Sequence, residues 1–143
     1  MSDPDARAEA LRWMDYANGD LLSAREVLIQ KVFPRRLACS LAQQAAEKAI
    51  KAALTFEGVD FPLTHDLDAL RFLLPDGWRV KDGFSSQGAL SFWSVEARYP
   101  TDYEDPIQSD AETAVEMAIA VWDAIVGDLA SRGLEFEGEP PDA

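Results

Sequence analysis

Cysteine and histidine are almost missing from this chain: Cys39 and His65 each stand alone among 143 residues. A lone cysteine cannot close an internal disulfide, which excludes a stapled secreted scaffold and fits a reducing compartment. One Cys and one His are too few for the usual ligand sets of structural zinc. No motif points to a bound cofactor, so none is expected. Cations are scarce as well, with 13 Lys and Arg against 26 Asp and Glu and a formal net charge of −13. That balance excludes a broadly basic protein that coats nucleic acid. Long apolar runs are also lacking. The stretch from Met117 to Val126 is interrupted by Asp123, far short of the ~18 clean residues of a membrane span. Asp3, Asp5, Glu9, Asp15, Asp20 and Glu26 occupy the start, where a signal peptide would show basic residues and then an apolar run. A cytoplasmic protein with no membrane partner is the expectation by elimination.

What is present is enough to build a core. Hydrophobic residues make up 48 % of the chain, and four Trp, seven Phe and three Tyr must pack somewhere, which excludes a disordered acidic polymer. The apolar spacing is helical throughout. Asp3 before Pro4 gives an N-cap and a first-turn proline. Leu11, Met14, Ala17, Leu21, Ala24 and Leu28 then recur at three- and four-residue steps, one stripe of a long amphipathic helix. Pro34 interrupts it. A second helix is predicted from about Arg35 to Phe56, with Leu37, Leu41, Ala45, Ala49 and Ala52 inward and Gly58 as its stop. Its many alanines permit close approach of a neighbour, which suits a central position.

A third helix is predicted with Thr64 as N-cap, Asp66 in the first turn and Leu67, Leu70 and Leu74 inward, ending at Pro75-Asp76-Gly77. Residues 76–86 carry no clear period. A short helix from about Ser86 to Arg98, with Leu90, Trp93 and Ala97 inward, is ended by Pro100. Ser109 with Glu112 reads as a capping box for the last helix. That helix carries Ala111, Val115, Ala118, Val121, Ile125 and Leu129 and stops at Gly133. The expected architecture is all-α: an up-and-down four-helix bundle with one additional short helix. Residues 1–134 form one domain, followed by an acidic flexible tail over residues 135–143.

The acidity is unevenly spread. Residues 31–56 hold five basic groups and one acidic, net +4, whereas residues 83–143 hold two basic and thirteen acidic, net −11. The two remaining blocks are each net −3. The second helix is therefore the one positive block, which bears on partners rather than on fold.

The run Leu41-Ala-Gln-Gln-Ala-Ala-Glu-Lys-Ala-Ile-Lys-Ala, then Gly58, Phe61-Pro62, Thr64-His65-Asp66-Leu67 and the later Ala97-Arg98-Tyr99-Pro100 resemble the HEPN domain family. Asp20-Leu21 and Ala24 on the first helix belong to the same pattern, which spans roughly residues 8–130. The resemblance implies a small helical bundle of prokaryotic type and a homodimer. It also implies, in many members, a partner or substrate-binding subunit of a minimal nucleotidyltransferase, as in toxin–antitoxin-like systems. A large subset of the family are metal-independent ribonucleases, with an Arg and a His separated by four to six residues near the start of the last long helix. Arg98 matches that Arg, but positions 103 to 105 are Tyr103, Glu104 and Asp105. The ribonuclease pair lacks its histidine, and a tyrosine with an ordinary value near ~10 is a poor proton shuttle at neutral pH. No catalytic residue is therefore assigned.

The candidate ligand-binding residues are Gln44, Lys48, Lys51, His65, Asp66, Arg98 and Tyr99. Lys48 and Lys51 share a helix face with Gln44 and could form a phosphate stripe, or Lys51 could pair with Glu47 four residues before it. His65 beside Asp66 could touch a nucleotide or pack at a helix start. Arg98 could bind a ligand or complement a helix dipole, with Tyr99 stacking beside it. Arg35 and Arg36 oppose the dipole of the second helix, which leaves a binding role open for them. Trp13, Trp93 and Trp122 read as core or interface residues. Three functions remain: a nucleotide- or RNA-phosphate-binding partner subunit, a ribonuclease with a degenerate site, or a purely structural dimerisation module.

Overall fold

The N-terminal cap forms as its residue types dictate. The N–H of Asp5 donates to Asp3 Oδ1 at 3.0 Å, and α1 runs Pro4–Gln30. The structure, a computed structural model, describes residues 3–96 and 104–138. Ala10, Met14, Ala17, Leu21, Ala24 and Val27 form the buried face of α1, while Leu11 and Leu28 lie at its half-buried margin. Lys31 takes a left-handed conformation (φ 56°) to end α1, and α2 follows as Arg35–Phe56 behind Pro34.

Helix α2 is the central element. It packs along α1 on one side and along α7, Gln108–Ser131, on the other. Ala38, Ala42, Ala45, Ala46, Ala49, Ala52 and Ala53 are all fully buried, so the backbones of its neighbours come close with no long side chain between them. Leu37, predicted inward, is 39 % exposed instead; it lies in the first turn, ahead of where the neighbouring helices close over α2. Helices α2 and α7 end as their glycines predict. Gly58 and Gly133 adopt φ of 69° and 88°, and Val59 and Leu134 donate their N–H groups back to Leu54 and Leu129 carbonyls at 2.9 Å each, the Schellman closure.

The connection between α2 and α7 departs most from expectation. In place of a third long helix and one short one, it holds α3 (Leu67–Arg71), α4 (Arg79–Asp82), α5 (Gly88–Ser91) and α6 (Trp93–Glu96). Leu67, Leu70, Leu74 and Leu90 are buried as predicted, and Trp93 is half-buried. The third helix stops early because Arg71 turns inward. Its buried guanidinium donates Nε to Asp68 Oδ1 at 2.8 Å, and Nη1 to the carbonyls of Val80, Lys81 and Phe84 at 2.9, 3.1 and 3.2 Å. The chain folds back after Leu74 to bring those carbonyls within reach. Asp68 closes the arrangement by accepting from Ser86 Oγ and the Gln87 N–H.

Helix α7 also begins earlier than predicted. Ile107 is its cap residue rather than Ser109, and the Asp110 carboxylate reaches back to accept from the Ile107 N–H at 3.1 Å. Ala111, Val115, Ala118, Val121, Ile125 and Leu129 face the core as expected. Asp128 anchors α4 to α7, accepting from the Arg79 N–H at 2.8 Å and from Arg79 Nε at 2.9 Å. Past α7, Leu134 is buried and Phe136 meets Trp122 edge-on at 5.9 Å between centroids. Ala97, Arg98, Tyr99, Pro100 and Tyr103 lie outside the described residues. The described residues contain no strand, and no helix among them is long and apolar enough to cross a membrane.

The inward Arg71 makes a sharp prediction. Arg71→Ala removes the guanidinium from three carbonyls and takes the cationic partner from Asp68, which keeps Ser86 and Gln87, a loss of about 3 kcal/mol. Urea unfolding should show it as a lower midpoint at an unchanged slope.

Candidate functional site

The polar residues that the sequence singled out on α2 meet α1 and the loop before α3 around one carboxylate. Glu47 sits on the inner side of α2 at 4 % exposure. Its Oε1 accepts from Gln43 Nε2 at 3.0 Å and faces His65 Nδ1 at 2.8 Å, and its Oε2 accepts from Lys51 Nζ at 2.9 Å. Gln43 is fully buried and also donates to the His65 carbonyl at 3.2 Å. It thereby fixes the loop backbone as well as the carboxylate. Burial alone pushes the Glu47 carboxyl up, but the hydrogen bonds from Lys51, Gln43 and His65 and the Lys51 charge outweigh it. They hold the group below its ordinary value of 4.5.

An ionised carboxylate can only accept, so His65 Nδ1 must carry the proton toward Glu47. In the neutral ring, Nε2 is then a hydrogen-bond acceptor. The His65 side chain is 47 % exposed, so that acceptor faces outward at the end of a carboxylate-oriented imidazole. This is the most chemically specific group on the face.

The two lysines are committed within the chain. Lys51 lies under Trp13 and Phe61, with Nζ 5.6 and 5.5 Å from their ring centroids, and those rings meet edge-on at 6.4 Å. Lys48 pairs with Asp20 of α1 at 2.6 Å and lies 5.9 Å from the Tyr16 ring. Of the two readings of Lys51, pairing with Glu47 is the one realised. Lys48 bridges α2 to α1. Gln44 donates Nε2 to Gln43 Oε1 at 2.7 Å, which leaves its own oxygen outward. Tyr16, 64 % exposed, opens onto a shallow groove along α1 with Glu9, Arg12 and Trp13.

Asp66 has a structural duty. Its Oδ1 accepts from the N–H groups of Asp68 and Ala69 at 3.0 and 3.2 Å, so it is the N-cap of α3. Thr64, predicted for that position, instead accepts from the Asp66 N–H at 3.1 Å. Arg98 and Tyr99 lie outside the described residues. Gln44, Lys48, Lys51 and His65 thus share one face, and Asp66 stands beside it as a cap. Sequence reading passed over Gln43 and Glu47 as the hub. A Gln and a Glu four residues apart in an alanine-rich buried stripe were the available signal.

Cys39 is fully buried, and burial, with the Asp110 charge, pushes its thiol up to about 12; it stays protonated and unreactive. Among the described residues, no three His, Cys, Asp or Glu side chains are grouped to hold a metal ion.

A carboxyl held below its unfolded value contributes stability that is complete above that value and lost as pH falls through the folded one. Glu47 and Asp68 are both held low, the latter because hydrogen bonds from Gln87, Arg71 and Ser86 outweigh its burial. Stability should therefore be level from pH 7 to about 5 and fall below about 4.5. Glu47→Gln should shrink that acid-side fall and cost about 2 kcal/mol at pH 7. Urea unfolding of both proteins across pH 3–7 reads both effects.

Comparison with known proteins follows the same outline. The HEPN domain model matches residues 10–129. TT1696 from Thermus thermophilus superposes with a TM-score of 0.67 at 23 % identity, covering 81 % of this chain and 94 % of its own. ST0689, an archaeal HEPN homologue, superposes with a TM-score of 0.60 at 26 % identity, covering 84 % of this chain and 97 % of its own. No curated protein matches the chain.

Proposed function

The chain belongs to the HEPN domain family, and from that premise we propose that it is a non-catalytic partner subunit. It forms a homodimer, associates with a minimal nucleotidyltransferase, and receives a nucleotide or an RNA phosphate on the face shared by α1 and α2. The observation that carries the reading is the commitment of its only imidazole. His65 holds Glu47 through Nδ1, in the loop before α3. Positions 103 to 105, where a ribonuclease of this family would carry its histidine, are Tyr103, Glu104 and Asp105. Without a histidine at the motif position after Arg98, neither step of proton transfer in RNA cleavage has the imidazole that suits it to neutral pH.

The binding half of the reading is refined by the ion pairs. Lys51 is fixed between a buried carboxylate and two rings and is 13 % exposed. A ligand phosphate gains little from it. Lys48 is more accessible at 24 % exposure, and its partner Asp20 on α1 is 22 % exposed. A phosphate can displace that carboxylate because Lys48 keeps an anionic partner throughout the exchange. Affinity for the phosphate is therefore expected to come from Lys48, with Tyr16 offering a ring face to a base and His65 Nε2 accepting from a base N–H or a ribose hydroxyl.

Calorimetry with ATP and with a short single-stranded RNA tests this. Saturable binding is expected, weakened roughly tenfold by Lys48→Ala, a typical loss for one charge-assisted hydrogen bond, and by a smaller factor in His65→Ala, which removes a neutral acceptor. Heat-silent titrations with both probes would remove the binding half. RNA cleavage by the native protein that disappears in Arg98→Ala would overturn the non-catalytic half. Failure to co-purify with a co-encoded nucleotidyltransferase would remove the partner.

A further inference from the structure

A second surface, between α1 and α7, carries an unusual combination. Where α1 and α7 lie side by side they leave a shallow groove lined by Arg25, Leu28 and Ile29 from α1 and Glu112, Glu116 and Ile119 from α7. Val115 forms its floor. Leu28 also lines the adjoining hollow at the α1–α2 turn, so the apolar strip continues to that end of the bundle. There Ile29, Val32, Phe33 and Ile107 are 62, 77, 55 and 61 % exposed. A strip of this kind on a small domain marks an interaction surface.

Its charges point to the occupant. In an acidic chain whose cations are mostly paired, Arg25 makes no ion pair or hydrogen bond among the described residues, and neither do Glu112 and Glu116. The two signs lie on opposite edges of the same apolar strip, Arg25 on the α1 edge and the glutamates on the α7 edge. A partner with one sign of charge would satisfy one edge and oppose the other. A second copy related by a two-fold axis along the groove satisfies both, because it sets each α1 edge against the other copy's α7 edge.

We infer that this strip is the homodimer interface, with Arg25 of each copy facing Glu112 and Glu116 of the other across the apolar centre formed by Leu28, Ile29 and Ile119. The inference rests on the dimer reading above and names the surface that makes it. Apolar contact supplies the affinity and the two reciprocal charge sets fix the register.

The pairing is reciprocal, so charge reversal tests it decisively. Sedimentation or light scattering at micromolar concentration is expected to give a dimer for the native protein. Arg25→Glu alone, and Glu112→Arg with Glu116→Arg, each place like charges across both halves of the interface. Each should raise the dimer Kd at least tenfold. Mixed in equal amounts, the two variants regain opposite charges at both contacts and should form a heterodimer close to native affinity. Ile29→Arg, at an exposed position that monomer folding tolerates, should also dissociate the dimer; far-UV circular dichroism confirms that each variant is folded. A dimer that survives both reversals and Ile29→Arg overturns this surface while leaving the dimer reading intact. Variants that dissociate but do not recover on mixing overturn the two-fold pairing. A native protein of single-chain mass throughout overturns the surface and the dimer together.

Discussion

A carboxylate removed from water must find its solvation inside the protein, and at Glu47 that need organises one whole side of the bundle. Three donors converge on it from three directions: Gln43 from the turn before, Lys51 from the turn after, and His65 from the loop that leads to α3. Each donor then constrains something further. Gln43 holds the His65 carbonyl, Lys51 sits against Trp13 and Phe61, and so the loop and α1 are both tied to α2. Directly after His65 comes Asp66, which caps α3. The start of α3 is thus set by the same network that satisfies the buried charge. Replacing such a charge by an apolar side chain can be neutral for stability, whereas removing one partner leaves the rest exposed to the full desolvation cost. That asymmetry makes the cluster all-or-none and gives His65 a fixed tautomer that an isolated surface histidine would lack.

The long helices were legible in the residues because their signals are local. Asp3-Pro4, the alanine stripe and the two stop glycines each act within one or two turns, and α2 spans the residues that the spacing predicted. The connection from α3 to α6 was not legible in the same way. Leu67, Leu70 and Leu74 carry a genuine helical period and are buried, yet the helix they imply stops at Arg71. What stops it is a set of contacts to carbonyls nine to thirteen residues further on, and no local propensity encodes that. The capping box at Ser109 failed for a related reason. Asp110 offers a carboxylate to the N–H of Ile107, so an equally short-range alternative started the helix two residues sooner. At the site, spacing placed Gln44, Lys48 and Lys51 on one face, but it could not show that Asp20 would neutralise Lys48 from another helix.

The alanine content of α2 and the charge of the chain act on the same problem from two sides. A central helix with small side chains lets α1 and α7 close on it, so little of its surface is left to water. The polar groups it does carry must then be paired, and Gln43, Glu47, Lys48 and Lys51 all are. The block of net +4 around this helix therefore presents less free positive charge than its composition implies.

This matters for what the molecule can recognise. Outside α2, Arg12, Arg71, Arg79 and Lys81 are matched to carboxylates, and in its first turn Arg36 reaches Asp105 at 3.5 Å. Arg25, Lys31 and Arg35, which lack a carboxylate partner among the described residues, all lie toward the end where α1 turns into α2. The long-range field is that of a chain at −13 and opposes the approach of any polyanion. Binding of a phosphate must then depend on short-range contacts that exchange one carboxylate for another anion, as Asp20 on Lys48 permits. Association with protein surfaces is under no such restriction, because there apolar contact supplies the affinity and charges need only match in sign across a short distance. A fold of this composition is better suited to recognising a surface of matching charge than to drawing RNA from a distance, and it locates that recognition where unpaired charges of both signs border exposed apolar side chains.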